Sequence, residues 1–107
     1  MKRTKQAVAE AKRRILAWLD DNDPWRIYGP HVPVKIRREL GLEKAVFDAA
    51  VLELLRERTV YCAPHDHPFR LPEAEREALI ADGKGGFYCS ISDRRPALAL
   101  PAWAIPA

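Results

Sequence analysis

Three apolar stripes at helical spacing occur within the first 58 residues, and each is cut short before it can grow into one long helix. Between residues 4 and 21, Val8, Ala11, Ile15, Leu16, Trp18 and Leu19 recur at steps of three and four, while Lys5, Lys12, Arg13 and Asp20 fall elsewhere. The cluster Asp20-Asp21-Asn22-Asp23-Pro24 stops that helix. Between residues 33 and 41, Ile36 and Leu40 face inward with Val34 close by. Pro33 suits the first turn, where its missing N–H would have no helical partner. Gly41 is the expected end, because glycine tolerates the left-handed conformation of a helix stop. Between residues 43 and 58, Phe47, Ala50, Val51, Leu54 and Leu55 form the third stripe, flanked by Val46 and Leu52. Three short helices cannot bury such stripes separately; they have to pack on one another.

The remaining segments read as connections and strands. Residues 24–33 hold three prolines and a glycine, which forbid a long helix, yet Trp25, Ile27 and Tyr28 are too apolar for a free loop. This connection is expected to pack, for instance as a short strand. Val60-Tyr61-Cys62-Ala63 is β-branched and aromatic and stops at Pro64. Phe87 to Ser92 is the second strand, with Phe87, Cys89 and Ile91 expected on one face and Tyr88, Ser90 and Ser92 on the other. The two should pair antiparallel and cover the open end of the helices with Val60, Cys62, Phe87, Cys89 and Ile91. Between them, Leu71 to Ile80 reads as a helix with glutamates near its positive N-terminal end, and Gly83, Gly85 and Gly86 supply a turn. Residues 96–107 form an uncharged tail rich in proline and alanine. Its Leu98, Leu100, Trp103 and Ile105 are expected to pack on the domain of residues 1–95 or on a partner, such as a second copy of the chain.

The order helix, apolar connection, short helix, glycine turn, longer helix, strand, loop, strand resembles the winged helix-turn-helix superfamily. The segments that carry the resemblance are Val34-Lys35-Ile36-Arg37-Arg38-Glu39-Leu40-Gly41-Leu42, the third helix from Ala45 to Arg58, and Val60-Tyr61 opening the wing. The resemblance implies an α+β fold with a three-helix core and a two-stranded antiparallel wing. The chain departs from the pattern in its long wing loop with an inserted helix. The resemblance also implies DNA binding, with the N-terminal residues of the third helix against base edges. Carried onto this chain those residues are Glu43, Lys44, Asp48 and Ala49, a poor reading set. The helix holds Glu43, Asp48, Glu53 and Glu57 against Lys44, Arg56 and Arg58, and its first turn lacks arginine.

Charge is unevenly distributed. Residues 1–38 carry ten basic and four acidic side chains, whereas residues 39–93 carry six basic and eleven acidic. A basic front half suits a polyanion, and equally suits solvated helical faces. The cations expected to hold phosphates of double-stranded DNA are Lys12 and Arg13 on the first helix, Lys35, Arg37 and Arg38 on the second, Lys44 on the third, Lys84 in the wing turn, and Arg94 and Arg95 after it. Such contacts position a protein without specifying a sequence. The alternative is an adaptor that binds protein and not DNA.

Cys62, His65, His67 and Cys89 are zinc-ligand types, but the spacing Cys-x2-His-x-His with a distant Cys is not that of a standard finger. Buried cysteines acting as small hydrophobes explain the thiols equally well. Gly83-Lys84-Gly85-Gly86 precedes a strand and does not open a helix, so it reads as a turn and not a phosphate cradle. Neither a nucleophile elbow, a His-Glu-x-x-His pair nor a phosphate loop is present, so no enzyme and no cofactor are expected. No apolar run reaches membrane-spanning length, the basic start is not followed by an apolar signal region, and two cysteines make no disulfide scaffold. A cytoplasmic setting follows as the expectation.

Overall fold

The computed structural model describes residues 4–98. The chain is α+β, with three helices and two short antiparallel pairings sharing one core. Helix α1 spans Lys5–Asn22 and starts at Thr4, whose Oγ1 accepts the Ala7 N–H at 3.0 Å. Helix α2 spans Pro33–Leu40 with proline in its first turn. It ends at Gly41, which takes φ +65° and donates its N–H to the Arg38 carbonyl, while Leu42 donates to that of Arg37. Helix α3 spans Lys44–Arg56. Val8, Ala11, Ile15, Trp18 and Leu19 of α1 meet Ile36 of α2 and Val46, Phe47, Ala50, Val51 and Leu54 of α3 in one core. The three stripes thus pack as their spacing requires.

Strand β1 spans Val60–Tyr61, β2 Ile80–Ala81, β3 Phe87–Tyr88 and β4 Ser92–Asp93. Antiparallel pairing joins β1 to β4 through Val60↔Asp93 and Tyr61↔Ser92, and β2 to β3 through Ile80↔Tyr88 and Ala81↔Phe87. Beyond β1 the ladder resumes at Pro64↔Tyr88, with the Cys89 N–H donating to Ala63 and the His65 N–H to Phe87. Cys62 and Ala63 therefore stand opposite three residues, Cys89, Ser90 and Ile91, which is a bulge of one residue. The bulge turns Ile91 toward the Pro24–Val32 connection, where His31 and Ile91 exchange both backbone hydrogen bonds at 2.8 and 3.0 Å. The connection thus supplies a single strand-like bridge.

Two expectations are corrected. The segment after Leu71 does not stay helical to Ile80. Helix α4 is only Glu73–Glu77, and Ile80 leaves it to become a fully buried strand residue beneath α3. The expected alternation along Phe87–Ser92 is broken by the bulge. Ile91 is buried, but Phe87 and Cys89 are only half-buried and Tyr88 packs against the core. Ile80 completes the cover with Val60, Cys62 and Ile91.

The start of the tail, residues 96–98, lies against the connection, where the Leu98 N–H donates to the Pro24 carbonyl at 2.8 Å. Leu100, Trp103 and Ile105 lie outside the described residues. Among the described residues no helix is long and apolar enough to cross a membrane.

Candidate nucleic-acid interface

Helix α3 turns one face to the core and the opposite one outward. Ala45, Ala49, Leu52 and Arg56, at steps of three and four, form the outward ridge; Ala45 and Arg56 are exposed and the other two half-buried. A groove of about 250 Å³ runs along one side, between the ridge and Thr4, Lys5 and Val8 of the α1 start. A second, about 330 Å³, runs along the other side, toward Asp82, Lys84 and Tyr88. Leu52 and Arg56 line both, so the ridge separates them, with Lys5 on one flank and Lys84 on the other.

Lys84 is presented by a tight turn. Asp82 Oδ1 accepts the N–H groups of Lys84 at 2.7 Å and of Gly86 at 2.9 Å, and the Asp82 N–H donates to the Gly86 carbonyl. Gly83 and Gly85 take φ +81° and +89°, which a side chain would oppose. The lysine is left exposed at the tip.

Several cations expected to face a ligand are engaged with the protein itself. Lys44 Nζ lies 2.6 Å from Asp48 Oδ2 and donates to the Leu79 carbonyl at 2.7 Å. Asp48 is buried and also accepts the Ala81 N–H at 3.3 Å, so neither residue is available to read bases. Burial pushes the Asp48 carboxyl above its ordinary pKa, with Lys44 opposing. Lys12 pairs with Glu57 at 2.7 Å and Glu53 at 3.6 Å, and its ammonium pKa is raised by the bond to Glu57. Arg95 bonds Asp93 and Asp20, each at 2.8 Å, and the Leu16 carbonyl at 3.2 Å. Arg13 pairs with Glu10 on the surface of α1.

Others remain outward. Lys35, Arg38 and Arg94 are exposed, Arg37 is half-buried, and none makes a side-chain ion pair among the described residues. The same holds for Lys5, one of the basic residues at the chain start that suit a phosphate, and for Arg56, which the sequence does not single out for this role. The signal was available: Arg56 falls on the same outward line as Ala45 and Ala49. The acids of α3 carry less weight than their number suggests, because Asp48, Glu53 and Glu57 all have internal lysine partners.

The candidate zinc ligands do not converge. Among the described residues no group of three His, Cys, Asp or Glu side chains is placed to hold a metal. Cys62 is 2% exposed in the core, while Cys89 Sγ donates to the Ala63 carbonyl at 3.4 Å. His65 and His67 lie on the outer side of the ladder, lining a cleft with Phe69. Strand pairing brings the thiols near one another, while the imidazoles line the cleft beside Phe69 and form no metal-holding group with them among the described residues.

Comparison with family models, curated proteins and solved structures finds no match to this chain.

Proposed function

We propose that this chain is a winged helix-turn-helix domain that binds duplex DNA through α3 and the cations beside it. The observation that carries the reading is the outward line Ala45, Ala49, Leu52 and Arg56 of α3, whose Leu52–Arg56 end has Lys5 beside one groove and Lys84 beside the other. A major groove is about 12 Å wide, and phosphates line both its walls. Ala45 and Ala49 at the start of this line let the helix backbone come close to the base edges, where methyl groups contact thymine. Cations on either flank then face the two strands. Lys35 and Arg38 are exposed on α2, the helix that crosses the DNA backbone in this reading. The element order, with His31 bridging Ile91 between α1 and α2, supports the winged-helix assignment.

The ridge lacks Asn, Gln or a bidentate arginine in its first turns, so binding is led by phosphates and reads sequence weakly. With five phosphate contacts, log Kd should change with log salt with a slope of about 4 to 5. Fluorescence anisotropy of a labelled duplex across a salt series measures it. Arg56→Ala and Lys84→Ala should each lower the slope by about 1. Absence of duplex binding at low salt and micromolar protein would overturn the reading.

The apolar character of Ala45, Ala49 and Leu52 favours a second reading, docking of a protein partner. A partner captured by the wild-type chain and lost with Leu52→Glu, with no duplex binding by either, would put this reading first.

A further inference from the structure

We infer that the turn Pro68–Arg70 and the cleft beside it hold one nucleotide unit, with its base stacked on Phe69 and its phosphate at Arg70. The proposal uses no residue of the α3 ridge and stands apart from the duplex reading.

Phe69 is 72% exposed, the most exposed large apolar side chain among the described residues. Single exposed apolar side chains are common on surfaces, so it is the surroundings of this ring that give it meaning. The turn that carries it is tied down. Pro68 is buried at the base of the 3-10 turn, Arg70 and Leu71 donate their N–H groups to His67 and Pro68, and the His67 N–H donates to His65 Nδ1. The ring of Phe69 meets that of Phe87 edge to face, centroids 6.5 Å apart. One contact is thus satisfied within the protein while most of the ring stays open.

The surroundings narrow the ligand. A cleft of about 410 Å³ lies between this turn and Gly85–Gly86, within the size range of small-ligand sites. Arg70, His65 and His67 line it, and the Arg70 guanidinium makes no ion pair among the described residues. An open aromatic face beside a free guanidinium matches a base joined to a phosphate. Asp66 lines the same cleft. Its carboxylate repels an anion, but accepts hydrogen bonds from the N–H groups of a base or the hydroxyls of a sugar, which inorganic phosphate lacks.

The test uses the full chain. Amide spectra of 15N-labelled protein are recorded with adenosine monophosphate, with a ten-residue single-stranded oligothymidylate and with inorganic phosphate. Shifts should centre on Phe69, Arg70, His67 and Gly86 with either of the first two and be absent with phosphate. Shifts with the oligonucleotide alone assign the site to an unpaired nucleotide in a strand; shifts with the monophosphate as well admit a free nucleotide. Phe69→Ala should weaken oligonucleotide binding about tenfold, as loss of one stacked base does. Arg70→Ala should lower the salt slope by about 0.7. No shift at about millimolar ligand, shifts confined to α3, or an unchanged Kd in both variants would overturn the proposal. A protein partner lost with Phe69→Ala, with no nucleotide shift, would overturn it in favour of a protein contact.

Discussion

Asp23 Oδ2 lies 2.9 Å from His31 Nε2, across the apolar connection between α1 and α2. The other carboxylate oxygen accepts the N–H groups of Ile27 at 2.8 Å and Tyr28 at 3.0 Å. One buried side chain thus closes the connection on itself. It also seats the His31 ring edge-on against Trp18, centroids 5.3 Å apart, while the His31 backbone pairs with Ile91. The last residue before Pro24 therefore holds the helices to the sheet.

Removing that carboxylate should be costly. Asp23→Ala leaves two amides and an imidazole without their acceptor and should lower stability by about 3 kcal/mol. Asp23→Asn keeps an oxygen for the amides and should cost about 1 kcal/mol. Urea unfolding of the three chains checks this, and equal losses in both variants would contradict the role given to the amide bonds.

Acid should loosen the same region. Burial pushes the Asp23 carboxyl up, but the Tyr28 amide, His31 and the Ile27 amide outweigh it and hold its pKa below the ordinary 3.8. For Asp20, burial is likewise outweighed, there by Arg26 and Arg95. A carboxyl with a depressed folded pKa contributes its full stability above the unfolded pKa and loses it as pH falls through the folded one. Urea midpoints should therefore hold near neutral pH and drop as pH falls below 3.8. The drop should be smaller in Asp23→Asn.

Lys44 and Asp48 should show strong coupling. Lys44→Ala strands a buried carboxylate and should cost about 2 kcal/mol or more. Adding Asp48→Asn removes that charge while an oxygen still accepts the Ala81 N–H, so the double variant should be more stable than Lys44→Ala alone. Additive losses in a double-mutant cycle would show that the pair is not coupled as described.

The two thiols should differ in reactivity. Burial, with the nearby Cys89 adding to it, pushes the Cys62 thiol up to about 12, so it holds its proton near neutral pH. Mass spectrometry after brief alkylation of the native chain should find Cys89 modified and Cys62 untouched until urea is added. Rapid modification of Cys62 in the folded chain would contradict its burial.

The helical part of the fold is legible in the sequence because its signals are periodic and local. The stripes, the Pro33 start and the Gly41 stop each act within one turn of where they are read. What escaped depends on distant partners. Asp48 looks like a solvated residue beside an apolar stripe until Ala81, 33 residues on, supplies an amide. Ile80 ends a helix-like run but is drawn into the core as a strand. The bulge opposite Cys62 and Ala63 accompanies the pairing of His31 with Ile91, which no local pattern announces. The cations divide likewise: the exposure of Lys35, Arg38 and Lys84 was readable, whereas the engagement of Lys12, Lys44 and Arg95 depends on acids brought in by the fold.

The clamp between α3 and the inserted segment also bears on the order of assembly. The helical core closes over short sequence distances, whereas Lys44 must find the Leu79 carbonyl 35 residues away. Closing a long loop carries an entropy that neighbouring helices do not incur. The bundle should therefore gather first, and the seam along Lys44 and Asp48 should be joined late. Trimming the insertion to a tight turn would then leave α3 with a buried carboxylate that has lost its amide partner, and the core without Ile80.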